Sequence, residues 1–141
     1  MSLKIFTQED EDTWVIENFT LPASRQPIRV SCFHEGDKFG ISHVKTVEKV
    51  LSDVGQYIRK ASRLILENYS KEYFSRLGVP ASNLPEDTPE SVEEHITLTE
   101  VYFSDMDELI FEMSFEASWD DHHSFDVEFE QHEPQTCAVN G

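Results

Sequence analysis

Beyond Arg76 the chain contains no lysine and no arginine, although 17 aspartates and glutamates fall between Gly78 and the C-terminus. All 11 basic side chains lie within residues 1–77, against 11 acidic ones, so the net charge of -17 belongs to the last 64 residues. A half without cations cannot grip a nucleic-acid backbone, which needs a basic face. It leaves cationic proteins and metal ions as partners. The two cysteines, Cys32 and Cys137, match no metal or redox spacing. Cys32 falls on the apolar phase of a strand and reads as a reduced core residue; Cys137 reads as a free thiol. No apolar run approaches the ~18–20 residues needed to span a bilayer, and no basic segment followed by an apolar stretch opens the chain as a secretory signal would. A soluble cytoplasmic protein that binds no membrane is expected. There is no Gly-rich phosphate loop, no Ser or Cys nucleophile motif and no HExxH, and no cofactor is expected.

What is present is enough for a core. Apolar residues make up 38% of 141, with ten Phe, two Trp and four Tyr, and a chain of this size can bury about 68% of its unfolded surface. The expectation is one α+β domain over 1–141, with 1–12 and 133–141 as flexible ends. Trp14 to Phe19 and Ile28 to Phe33 read as strands, the second with Ile28, Val30 and Cys32 on one face. A polar turn, Glu35-Gly36-Asp37, follows. Val47, Val50, Leu51, Val54, Ile58, Ala61 and Ile65 recur at helical steps from Ser42 toward Leu77. Gly78 and Pro80 end that helix. A continuous helix of this length would measure about 52 Å, against a radius of gyration near 14 Å for the domain. A break is therefore expected at Asn68-Tyr69-Ser70, with Ser70 capping a second piece. Gly55 suggests close contact between helix and sheet.

Three strands then follow, near 96–103, 109–119 and 125–131. The middle one alternates Leu109, Phe111, Met113, Phe115, Ala117 and Trp119 with Glu112, Ser114, Glu116 and Ser118. The fold class expected is an antiparallel sheet of two N-terminal strands and a three-stranded C-terminal meander, one face covered by a long, broken helix. The apolar phase also fixes register to within two residues. It sets Glu116 against Glu128, or else Glu116 against Asp126 and Glu112 against Glu130, and Glu100 against Glu112. Ile96, Leu98, Tyr102 and Ile110 then share the acidic face. Directly opposed like charges stand ~4.5–5.5 Å apart and cost roughly 0.2–1 kcal/mol. The candidate binding face is thus Glu100, Glu112, Glu116, Asp126, Glu128 and Glu130.

Asp120, Asp121, His122 and His123 form the densest set of potential ligands, in a loop after Trp119. A metal reading would use Asp120, Asp121 and His123; the alternative is a turn in which Asp120 bonds its own backbone. Trp119-Asp-Asp-His-His123, followed by Ser-Phe-Asp-Val, resembles the Trp-Asp-x-Glu-His-Gly ending of uncharacterised bacterial families, domains of unknown function in small cytosolic proteins. Residues 66–73 and the Ile96–Trp119 strand pair resemble their layout, and the similarity covers roughly residues 28–131. The matching positions are Trp119, Asp120 and His123; the family's Glu stands here as His122 and its Gly as Ser124. The resemblance implies no assigned activity, though some such families look like immunity proteins. Three functions follow as expectations. The first is a noncatalytic interaction protein presenting the acidic sheet to a basic protein. The second is a metal-dependent enzyme at Asp120–His123, and the third a homodimer whose acidity serves solubility.

Overall fold

The structure is a computed structural model that describes residues 1–36 and 38–141; Asp37 of the expected turn lies outside the described residues. Seven strands form one sheet in sequence order: β1 (Thr7–Asp10), β2 (Thr13–Phe19), β3 (Ile28–Phe33), β4 (Ile96–Asp105), β5 (Ile110–Ala117), β6 (Asp120–Glu130) and β7 (Glu133–Asn140). All neighbours are antiparallel except β3 and β4, which run parallel. A parallel pair requires a crossover, and the crossover here holds α1 (Ile41–Ser52), α2 (Val54–Leu66), α3 (Lys71–Arg76) and α4 (Pro89–Glu94).

The expected two-plus-three strand sheet under one long helix is therefore overturned. The sheet has seven strands, and the helical segment consists of short pieces. One interruption is at 67–70, where the Ser70 hydroxyl accepts the Tyr73 N–H and starts α3. The other, at Asp53, was not expected. Ser52 Oγ donates to the Lys49 carbonyl at 2.8 Å, a back-bond of the kind that bends helices. Asp53 then leaves helical geometry, at φ -107 and ψ 16, while its N–H turns back to Val50. Gly55 makes no close approach: a methyl there would meet only the Arg59 guanidinium, at 3.8 Å.

The core lies on one face of the sheet. Val44, Val47, Val50 and Leu51 of α1, Val54, Tyr57, Ile58, Ala61 and Ile65 of α2, and Val92 of α4 join the inward residues of β3–β6 in one cluster. Its centre is aromatic. Phe111 and Phe129, opposed across β5 and β6, stack with centroids 5.0 Å apart, and the Tyr57 ring meets both edge-on.

Two irregularities correct the expected registers. The β4–β5 register shifts between Leu98 and Glu100. Such a bulge reverses the phase of the strand, so Ile96 and Leu98 are buried in the core, as are Val101 and Phe103. Strict alternation had put Ile96 and Leu98 on the acidic face. The β5–β6 hairpin turns at Ser118-Trp119, with Ala117 opposite Asp120 and, one residue earlier in β5, Glu116 opposite Ser124. Asp121, His122 and His123 are accommodated as a bulge in β6. Neither expected register of this hairpin occurs. Glu112 lies opposite Glu128, Ser114 opposite Asp126, and Ile110 opposite Glu130. Across β4 and β5, Glu100 faces Ser114 and Tyr102 faces Glu112. Among the described residues two carboxylate pairs are directly opposed, Glu112–Glu128 across β5 and β6 and Glu130–Glu133 beside the β6–β7 turn.

Candidate functional site

The outer face of the sheet, away from the helices, is where the charge collects. Opposed residues of neighbouring strands share a face, which puts Arg29, Glu100, Ser114, Asp126 and Ala138 in one row and Ser31, Tyr102, Glu112, Glu128 and Thr136 in the next. Glu116 and Glu130 lie on the same face at opposite ends of the β5–β6 pair. All six predicted carboxylates are thus gathered on one surface: Glu100, Glu112 and Asp126 half-buried, Glu116, Glu128 and Glu130 exposed.

The face is divided electrically. Toward β1–β4, Arg29 binds Glu9, Glu17 (Nε to Oε1, 3.0 Å) and Glu100 (3.4 Å), and Ser31 Oγ donates to Glu100 at 2.9 Å. Burial opposes the Arg29 charge, but the bonds to Glu17 and Glu9 outweigh it and raise its pKa. Arg29 was absent from the predicted face, although its place out of phase with Ile28 and Val30 was enough to find it. Strands β5–β7 contain no lysine or arginine. Among the described residues Lys60 of α2 reaches Glu133 at the start of β7 (3.1 Å), and no lysine or arginine pairs with Glu112, Glu116, Asp126, Glu128 or Glu130. Among the described residues Asp126 is held by neutral donors, Ser124 Oγ at 3.3 Å and the Asn140 amide.

Glu112, at the middle of this half, has its pKa raised, first by burial and then by Asp126, Glu128 and Glu100. A raised carboxyl pKa favours the folded state while the group is protonated, and that contribution is lost as the pH rises through the raised value. Glu112→Gln is accordingly expected to stabilise the protein at pH 7 by less than about 1 kcal/mol, a rise in melting temperature of about 2 °C. The gain should vanish as the pH is lowered into the carboxylate range, where Glu112 is itself neutral; thermal melts at pH 7 and at low pH read the difference.

The Trp119–His123 motif separates into two parts. Trp119 is 2% exposed and packs on Tyr69 (centroids 4.7 Å) and Phe125 (5.6 Å), with its indole N–H unpaired. Asp120 organises the bulge that follows: Oδ1 accepts the His122 N–H at 3.1 Å, and Oδ2 bonds His123 Nδ1 at 2.7 Å. The Asp121 and His122 side chains point to solvent and lie 3.3 Å from each other. An open depression of about 410 Å³ lies beside this bulge, lined by Glu116, Ala117 and residues 120–124. Among the described residues no group of three or more His, Cys, Asp or Glu side chains is arranged to hold a metal ion, so Asp120, Asp121 and His123 do not converge. Neither cysteine is activated: burial pushes the Cys32 thiol up to about 12 and the Cys137 thiol to about 11, the latter helped by Asp126.

Among the described residues, no helix is long and apolar enough to cross a membrane. No curated protein and no solved structure matches the chain. The family model of the domain of unknown function (DUF6985) matches residues 5–137, from just ahead of β1 into β7, and the chain belongs to that family.

Proposed function

We propose that this is a noncatalytic interaction protein whose outer sheet face, over β4–β7, binds a cationic protein. The observation that carries the reading is the set Glu112, Asp126, Glu128 and Glu130, held on paired strands with no cation among them. Packed strands fix the spacing of these carboxylates, so a partner meets a preformed charge pattern. The Glu112–Glu128 opposition opposes folding, and a cation placed between the two side chains would reverse its sign. Fields of this kind mainly accelerate association and make it salt-dependent. We propose with it a bacterial cytoplasmic protein in a role like that of an immunity protein neutralising a basic toxin, with the Trp119–His123 motif shaping the end of the hairpin.

Net charge alone would attract any cation, so the test holds it constant. One variant carries Glu112→Gln, Asp126→Asn, Glu128→Gln and Glu130→Gln; the control neutralises four exposed acids elsewhere, Glu11, Glu90, Glu94 and Glu108. Binding of a basic protein probe at physiological salt should weaken at least about tenfold, or 1.4 kcal/mol, in the first and less than about threefold in the second. Equal losses would mean that the face has no special part in binding.

A further inference from the structure

The two edges of the sheet are unlike. β1 is four residues long, interrupted by a register shift, and carries Glu9 and Asp10. Short, irregular and charged edges resist pairing with another chain. β7 is eight residues long, and positions 135–140, Gln-Thr-Cys-Ala-Val-Asn, carry no charge. Its conventional guards, Glu133 and Pro134, both stand at its start. Strand β6 occupies one side of β7; among the described residues no hydrogen bond reaches the 135–140 backbone from the other side.

The side chains of β7 make this edge specific. On the outer face Thr136 stands beside Glu128 and Ala138 beside Asp126. Both are small, so neither blocks the path from the open edge to the two carboxylates. The Asn140 amide of the same strand already binds one oxygen of Asp126, and among the described residues Glu128 has no such neighbour in β7. A strand added to β7 would lie about 4.8 Å from it and about 10 Å from β6. Basic residues at alternate positions of that strand would run their aliphatic stems over Thr136 and Ala138 and bring their charges to Glu128 and Asp126.

We infer that β7 is a docking edge for an extended basic segment of the partner, which joins the sheet as an eighth strand with every second residue lysine or arginine. The inference rests on the acidic-face reading and adds its mode: main-chain hydrogen bonds supply register, and carboxylates select the basic phase. A second copy of this chain is the poorer occupant, because two molecules of net charge -17 repel each other.

The experiment uses the whole chain and two synthetic decapeptides. One alternates lysine and threonine; the other has the same sequence with its internal backbone nitrogens methylated, which keeps the charges and removes the pairing donors. The methylated peptide should bind at least about tenfold more weakly, and the unmodified one should slow hydrogen exchange of amides within 135–140. Equal binding of the two would overturn strand addition while leaving the acidic-face reading intact, and binding of neither at low salt would overturn both. Slow exchange at 135–140 in the free protein, together with a dimer in sedimentation, would assign the edge to a second copy and also overturn the inference.

Discussion

Trp119→Ala is expected to cost about 3–5 kcal/mol of folding stability, the usual range for removing a buried large aromatic. A domain has only about 5–15 kcal/mol to lose. The indole sits at the hairpin turn between β5 and β6 and joins three parts of the fold. It packs on Phe125 of the sheet and on Tyr69 in the α2–α3 connection. Tyr69 in turn donates to the Pro85 carbonyl at 2.6 Å. The adjoining Ser118 closes the same corner, its N–H on the His95 carbonyl and its hydroxyl on Asn83 at 2.8 Å. Losing the indole would therefore loosen the 80–89 loop as well as open a cavity. Trp119→Phe should cost far less, about 1–2 kcal/mol, because it also removes a buried N–H that has no partner. Denaturant unfolding of both variants measures the contrast; equal losses would point to a role for the N–H itself.

Arg29→Met is expected to cost about 1–3 kcal/mol. Single exposed ion pairs are worth little, but this side chain serves three carboxylates at once and is only 35% exposed. Without it Glu9, Glu17 and Glu100 converge with no cation among them, and Glu100 keeps only the Ser31 hydroxyl. The loss should shrink as sodium chloride is raised toward 1 M, since most of it would be like-charge repulsion, which salt screens. A loss of the same size at every salt concentration would instead assign the effect to packing of the arginine stem. Binding of a basic probe should not fall in this variant, because its charge change makes the face more negative.

The aromatic meander was legible because Phe111 to Ala117 and Phe125 to Phe129 alternate without a break, and alternation of that quality fixes which side is buried. The acidic surface followed from the same pattern. What the pattern cannot report is a bulge, since a bulge is an interruption of alternation that local residues do not announce. The irregularity after Leu98 moved two apolar residues into the core, and the bulge at Asp121–His123 displaced the whole β5–β6 register. The edge strands were hidden for a different reason. Thr7–Asp10 and Glu133–Asn140 have little apolar phase because they are mostly exposed, and their pairing is set by the neighbouring strand rather than by their own composition. The break at Asp53 depends on a side-chain bond from Ser52, too local to disturb the helical stripe of Val50, Leu51 and Val54. At the site, the division of the face by Arg29 could have been read from its phase in β3, but its three partners come from β1, β2 and β4, and only the folded sheet brings them together.

Whether the unbalanced carboxylates of β5 and β6 recognise a basic partner is read from where a basic probe lands. Backbone amide shifts of the intact chain, followed by NMR during titration with the lysine–threonine decapeptide, would show it. Perturbations should concentrate at Glu112, Ser114, Asp126 and Glu128 and extend into 135–140. Shifts spread evenly over exposed acids, or centred on Glu86, Glu90 and Glu94 around α4, would contradict it.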